Sequence, residues 1–248
     1  MFSTTKFIIN HYNEEMKLAA VKKNGYLLAD INTPSKEVQL AAVKQNGDVI
    51  KVIKNPSEEV QLAAVKQNGY AIKYISCASE EVKLAAVKQN GFAIKHIINP
   101  SKEIQIVAIN EFGRSIQYIK NPSEEIKFMA AERCGSTIQF ITDASEEMKL
   151  AAVKNFGKAI YYINEPSEEV QLAAVKQDGW AICSIKHPSK EVQLASLWIF
   201  KVREHVKCGL ELPTIHYKRI HDDITTSEKY LKKNLKNRTK KYLDINFF

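Results

Sequence analysis

Residues 55–76 read NPSEEVQLAAVKQNGYAIKYIS, and the spacing of apolar residues in this stretch decides the fold. On a helical wheel Val60, Ala63 and Ala64 form one apolar arc, while Leu62 and Val65 form a second on the other side. Two apolar flanks call for a neighbour on each. Polar stripes separate them, one holding Glu59 and Lys66, the other Gln61 and Asn68. Paired alanines let adjacent helices approach toward the short end of the ~8–10 Å interaxial range. The start of the helix is marked by Asn55 as N-cap, Pro56 at the first helical position and Glu58 as the capping-box acid. Gly69 is expected to end it in the left-handed conformation. Beyond the glycine, Ile72 and Ile75 lie three apart, a spacing that fits a short α or 3₁₀ turn better than a strand.

Working outward, the same unit recurs along most of the chain. Gly25, Gly47, Gly69, Gly91, Gly113, Gly135, Gly157 and Gly179 are each 22 residues from the next. Six of the seven prolines keep that register, with Ala78 and Ala144 in the two skipped slots. The isoleucine pair persists too, from Leu28 and Ile31 to Ile182 and Ile185. A unit this short cannot bury its apolar face alone, so neighbours must supply the core. The expectation is an all-α protein, an α-solenoid of 22-residue repeats, each a long helix plus a short α or 3₁₀ helix, with a C-terminal helical cap. Residues 1–11, with Phe7, Ile8 and Ile9, read as an N-terminal half-repeat cap, 12–200 as the array, and 201–248 as a C-terminal cap and basic tail. In the last long helix Leu197, Trp198, Ile199 and Phe200 are expected to bury against the segment that follows.

Charge is unevenly placed. The formal net charge is +8, yet residues 201–248 carry 12 Lys/Arg against 6 Asp/Glu, leaving 24 against 22 for residues 1–200. The array is nearly neutral, so nucleic-acid binding is a second candidate chiefly for the tail, through Lys229, Lys232, Lys233, Lys236, Arg238, Lys240 and Lys241. The four cysteines, Cys77, Cys134, Cys183 and Cys208, have no paired spacing, which argues for a reducing compartment. No stretch approaches the ~20 apolar residues of a membrane span. A cytoplasmic location without membrane contact is expected.

Candidate chemistry is sparse. A glutamate ladder from Glu15 and Glu37 to Glu191 falls in the first helical turns, where the macrodipole favours negative charge. A lysine ladder, Lys22, Lys44, Lys66, Lys88, Lys154 and Lys176, offers a phosphate track but shares its wheel face with those acids and is broken by Asn110 and Glu132. His205, Cys208, His216, His221 and Asp222 have spacings that suit zinc, but only one thiolate is present and no second pair supports it. No phosphate loop, nucleophile elbow or carboxylate pair appears, so no catalytic residue, metal or cofactor is expected and the protein is read as non-enzymatic.

Two slots refuse to repeat. The one after the glycine holds Tyr26, Asp48, Tyr70, Phe92, Arg114, Ser136, Lys158 and Trp180. The one before the second isoleucine holds Asp30, Val52, Tyr74, His96, Tyr118, Phe140, Tyr162 and Ser184. Variation amid constancy marks a surface that stacking does not constrain, and its aromatic content matches protein interfaces. Tyr70, Tyr74, Phe92, His96, Tyr118, Phe140, Tyr162 and Trp180 are the candidate partner-binding residues. The partner itself and the oligomeric state are left open.

The string EVQLAAVKQNG, at Glu37–Gly47 and again at Glu59–Gly69, resembles tandem short helical repeats of unknown function found in giant viruses, phages and intracellular bacteria. The Pro-Ser-Glu-Glu-Val start is similar to leucine-rich variant and HEAT-like α-solenoids. This resemblance implies a curved α-solenoid, viral origin and, on that basis, a host protein as partner in the host cytoplasm. The iron–sulfur cluster of some leucine-rich variant proteins is not carried over, because no cysteine-rich segment exists here. The resulting expectation is a protein-interaction scaffold or inhibitor acting through the variable short-helix face.

Overall fold

A computed structural model describes residues 4–204. These residues form two layers, a row of long α-helices and a row of six-residue 3₁₀ turns, with no strand among them. The helix Glu58–Gln67 followed by the turn Gly69–Tyr74 is the unit, and it recurs from Glu14–Lys23 with Gly25–Asp30 to Glu168–Gln177 with Gly179–Ser184. Each helix packs on the next helix and each turn on the next turn. The expected repeat array is therefore present, and the short segment is 3₁₀ throughout. No helix among the described residues is long and apolar enough to cross a membrane.

The core runs as a ribbon between the layers. Val60, Ala64 and Val65 from the helix and Ala71 and Ile72 from the turn are all buried, and their equivalents join them from unit to unit. Leu62 and Ala63 are half-buried, lying along the seam between neighbouring helices. Removing a buried side chain of this size typically costs ~2–5 kcal/mol, so each unit depends on both neighbours.

Two readings of the unit's punctuation are corrected. The N-cap is Ser57, not Asn55, and the helix begins at Glu58, after Pro56 rather than on it. Serine holds this slot in every unit after the first, where Asn13 stands, and Ser57 itself makes no side-chain cap bond. The hydroxyls of Ser35, Ser79, Ser101, Ser123, Ser145, Ser167 and Ser189 accept the N–H three residues on at 3.2 to 3.4 Å. Asn55 is instead a left-handed turn residue with φ of 53°, as are Asn99, Asn121 and Glu165, each directly before a proline.

Nor is Gly69 left-handed, since no glycine among the described residues has positive φ. Asn68 caps the helix in extended conformation and Gly69 opens the turn. Glycine is required by proximity: a methyl group on Gly69 would lie 2.5 Å from the Ala86 carbonyl oxygen of the next helix. Its N–H donates to Gln89 Oε1 at 2.7 Å, a bond to the next unit. Gly25, Gly47 and Gly157 make the same bond to Gln45, Gln67 and Gln177, and Gly135 makes it to Asn155. The glutamine, or Asn155, at the end of each of these helices is thus a latch between units.

The latch fails in the middle. Glu111 and Arg133 occupy the glutamine slot opposite Gly91 and Gly113, and Phe112 and Cys134 replace the capping asparagine with no side-chain cap bond. Val107 and Met129 replace the small Ala63 equivalent, and Ser115 and Thr137 put unpartnered hydroxyls where other turns bury alanine or valine. Residues 102–141 are a less uniform stretch of an otherwise regular stack.

At the amino end the helix Thr4–Asn10 packs on the first turn. Ile9 is buried, while Phe7 and Ile8 are exposed. Asn10 ties this helix down, donating to the Asp30 carbonyl at 2.7 Å and accepting from the Asn32 N–H at 2.9 Å. At the other end the last helix spans Lys190–Glu204 without a glycine break, with Leu197 and Ile199 half-buried.

Candidate protein-interaction face

The turn layer converts the two variable slots into one continuous strip. A 3₁₀ turn places its second residue beside three positions of the next unit, those 20, 25 and 26 residues further on. The rule is visible at Tyr70, whose ring meets His96 edge-on at 6.0 Å and carries Lys95 Nζ 5.6 Å from its centroid. Phe92 stacks on Phe112 at 5.1 Å and meets Tyr118 edge-on at 6.0 Å. Arg114 lies over Phe140 at 5.9 Å, and Lys51 over Tyr26 at 5.5 Å. Asp48 obeys it with polar chemistry, accepting from Asn68 Nδ2 at 3.0 Å, and Lys158 approaches Asp178 at 4.0 Å.

Tyr70, Phe92, His96 and Tyr118 are thereby brought together, bridged by Lys95, which also sits 6.0 Å from the Tyr118 ring. Phe140 lies further along, under Arg114 of the preceding turn. Tyr74 stands beside them, exposed, with Lys73 Nζ 4.6 Å from its own ring centroid. Tyr162 belongs to a separate patch further along, edge-on to Tyr161 at 5.2 Å. Trp180 opens the last turn, its backbone N–H donating to Asp178 Oδ1 at 3.0 Å. The proposed residues thus divide into a central cluster and a distal group.

Three contributors escaped the sequence reading. Phe112 and Phe156 are large exposed side chains in the cap slot, and Tyr161 is 72 % exposed on the Lys73 slot. Each was detectable as a break in the repeat, at positions where the other units hold asparagine, aspartate, cysteine, alanine, lysine or glutamine. Lys95 carries no signal of its own in the sequence, because its role depends on the 25-residue contact between turns.

The electrostatics of the two layers differ. On the long-helix layer cations and acids pair, as in Lys36–Glu59 at 2.5 Å, Lys102–Glu125 at 2.6 Å and Lys127 with Glu124 and Asp143 at 2.7 and 2.8 Å. The paired Lys127 holds Asp143 below its ordinary carboxylate range. The lysine ladder lies here too, with Lys44 and Lys66 flanking Glu59 along one shallow groove and Lys154 near Glu132 and Glu147 along another. The nucleic-acid candidates Lys229 to Lys241 and the His205 to Asp222 segment lie outside the described residues. Among the described residues no group of three or more His, Cys, Asp or Glu is placed to hold a metal.

Comparison with known proteins adds one match. A family described as Domain of unknown function (DUF4116) matches residues 57–99, which span two consecutive helix and turn units and include Tyr70, Tyr74, Phe92 and His96. No curated protein and no solved structure matches the chain. What the chain demonstrably shares is therefore a helical repeat unit.

Proposed function

We propose that this chain is a non-enzymatic interaction scaffold or inhibitor that captures a protein partner on the face built by its 3₁₀ turns. The observation that carries this reading is the central cluster. Tyr70 with His96, and Phe92 with Phe112 and Tyr118, form two ring groups contributed by successive units and bridged by Lys95, across a layer whose backbone is otherwise uniform. Aromatic pairs of this kind are worth ~0.5–1.5 kcal/mol each, and aromatic and arginine side chains are the groups that dominate interface energies. The fold alone supports no activity, because a solenoid is a surface generator.

The test is capture of partners on immobilised full-length protein, compared with a variant carrying Tyr70→Ala, Tyr74→Ala, Tyr118→Ala and Trp180→Ala. The reading expects the specific partner to be lost from the variant while its circular dichroism is unchanged. An identical captured set from both proteins rejects the face.

A further inference from the structure

The turn layer carries an excess of positive charge where its aromatic rings converge. From Gly69 to Tyr118 the three turns hold Lys73, Lys95, His96 and Arg114 and no acid. The nearest turn-layer acid, Asp48, accepts from Asn68 and its charge also favours the Lys73 ammonium, so the excess of positive charge rests chiefly on Lys95 and Arg114. Among the described residues no salt bridge uses Lys73, Lys95 or Arg114, whereas Lys36, Lys83, Lys102, Lys127 and Lys149 of the helix layer are each paired with glutamate or aspartate. Lys73, Lys95 and Arg114 are instead held over aromatic rings. A ring positions a cation without neutralising it, so a carboxylate can still be added.

Resting on the turn face as the binding surface, we infer that its partner is an acidic protein segment with interspersed aliphatic side chains, laid across the three turns between Gly69 and Tyr118. Charge complementarity selects the sign of the partner. Ring geometry selects its class. One flat face of each of these rings, of the kind nucleobases need for stacking, is engaged, Phe92 with Phe112 at an interplanar angle of 12°, and Tyr70 and Tyr118 with Lys95. The tyrosine hydroxyls and the ammonium and guanidinium groups of the cluster suit carboxylates, and its rings suit aliphatic side chains.

The experiment is fluorescence anisotropy with the full-length protein and three labelled probes: a peptide of about fifteen residues repeating Glu-Glu-Leu, the same peptide with Gln for Glu, and a poly(U) strand of similar length. The inference expects the acidic peptide to bind, the Gln peptide not to, and affinity for the acidic peptide to fall as salt rises from about 0.1 to 0.5 M. The Lys95→Gln/Arg114→Gln variant should weaken that binding about tenfold, while Lys36→Gln on the helix layer leaves it unchanged. Absent acidic-peptide binding, equal binding by the double variant, or poly(U) binding tighter and lost in the double variant each overturns it. The two readings fail separately. If partner capture is lost in the four-site aromatic variant but survives in Lys95→Gln/Arg114→Gln, the acidic partner is wrong and the face stands. If capture survives the aromatic variant, the face itself is wrong.

Discussion

At Glu165 the backbone takes φ of 48°, a conformation in which the side chain crowds the following carbonyl. The equivalent position holds asparagine in the three other left-handed turns, Asn55, Asn99 and Asn121. Glu165→Asn should therefore raise unfolding stability by about 0.5–1 kcal/mol, read by urea denaturation; no change or a loss would contradict the strain. Gly69 carries the opposite expectation. Gly69→Ala forces a methyl group against the Ala86 carbonyl and Gln89 Oε1, so it should destabilise by roughly 2–3 kcal/mol, and a neutral outcome would show that the units can slide apart without cost. His96 adds a pH dependence. Its pKa lies below the ordinary value of 6.5, because partial burial and then the charges of Lys95 and Lys73 disfavour the imidazolium. The unfolded chain binds the proton first, so the stability contributed by neutral His96 is complete above pH 6.5 and is lost as pH falls through the window below it. His96→Gln should flatten the fall of the thermal midpoint across that window; an unaltered slope would contradict it.

At the scale of the element, the helix and the turn were legible to different depths. Helix length, the buried Val60, Ala64 and Val65 and the isoleucine spacing of the 3₁₀ turn follow from periodicity, because they are local. The cap was misassigned because Asn55, Pro56 and Glu58 together imitate a capping sequence, while the N-cap position is the serine between them, whose equivalents such as Ser35 accept the capping N–H although Ser57 itself does not. The Gln89 latch and the Lys95 bridge were illegible for another reason. Both are contacts between residues 20 to 26 apart, whose existence depends on how one unit sits on the next. Ser115 and Thr137 show the same dependence, since only the stack reveals that their hydroxyls are buried without partners. Ser115→Ala with Thr137→Val should raise stability by about 1–3 kcal/mol, because an orphaned buried hydroxyl costs more than a methyl group of similar shape. A loss on calorimetry would mean those hydroxyls have a partner.

For the whole molecule, the two-layer arrangement explains how one chain can be both uniform and specific. The core ribbon and the serine, glycine and glutamine contacts repeat because each unit must fit its neighbour, and the second, fifth and sixth turn positions vary because they touch only at the surface. Stability in such an array is a sum of unit and interface terms. The central claim is that the 22-residue unit stacks as a module. Deleting residues 146–167 joins Ser145 directly to Glu168, so that one serine cap is followed by the next helix in register. Thermal unfolding of this deletion, followed by circular dichroism beside a deletion of residues 146–156 alone, is the most direct measurement. The account predicts that the 22-residue deletion keeps the helical signal per residue and one cooperative transition, while the shorter deletion, which removes a helix and keeps its turn, loses both. Equal disruption by the two deletions would contradict it.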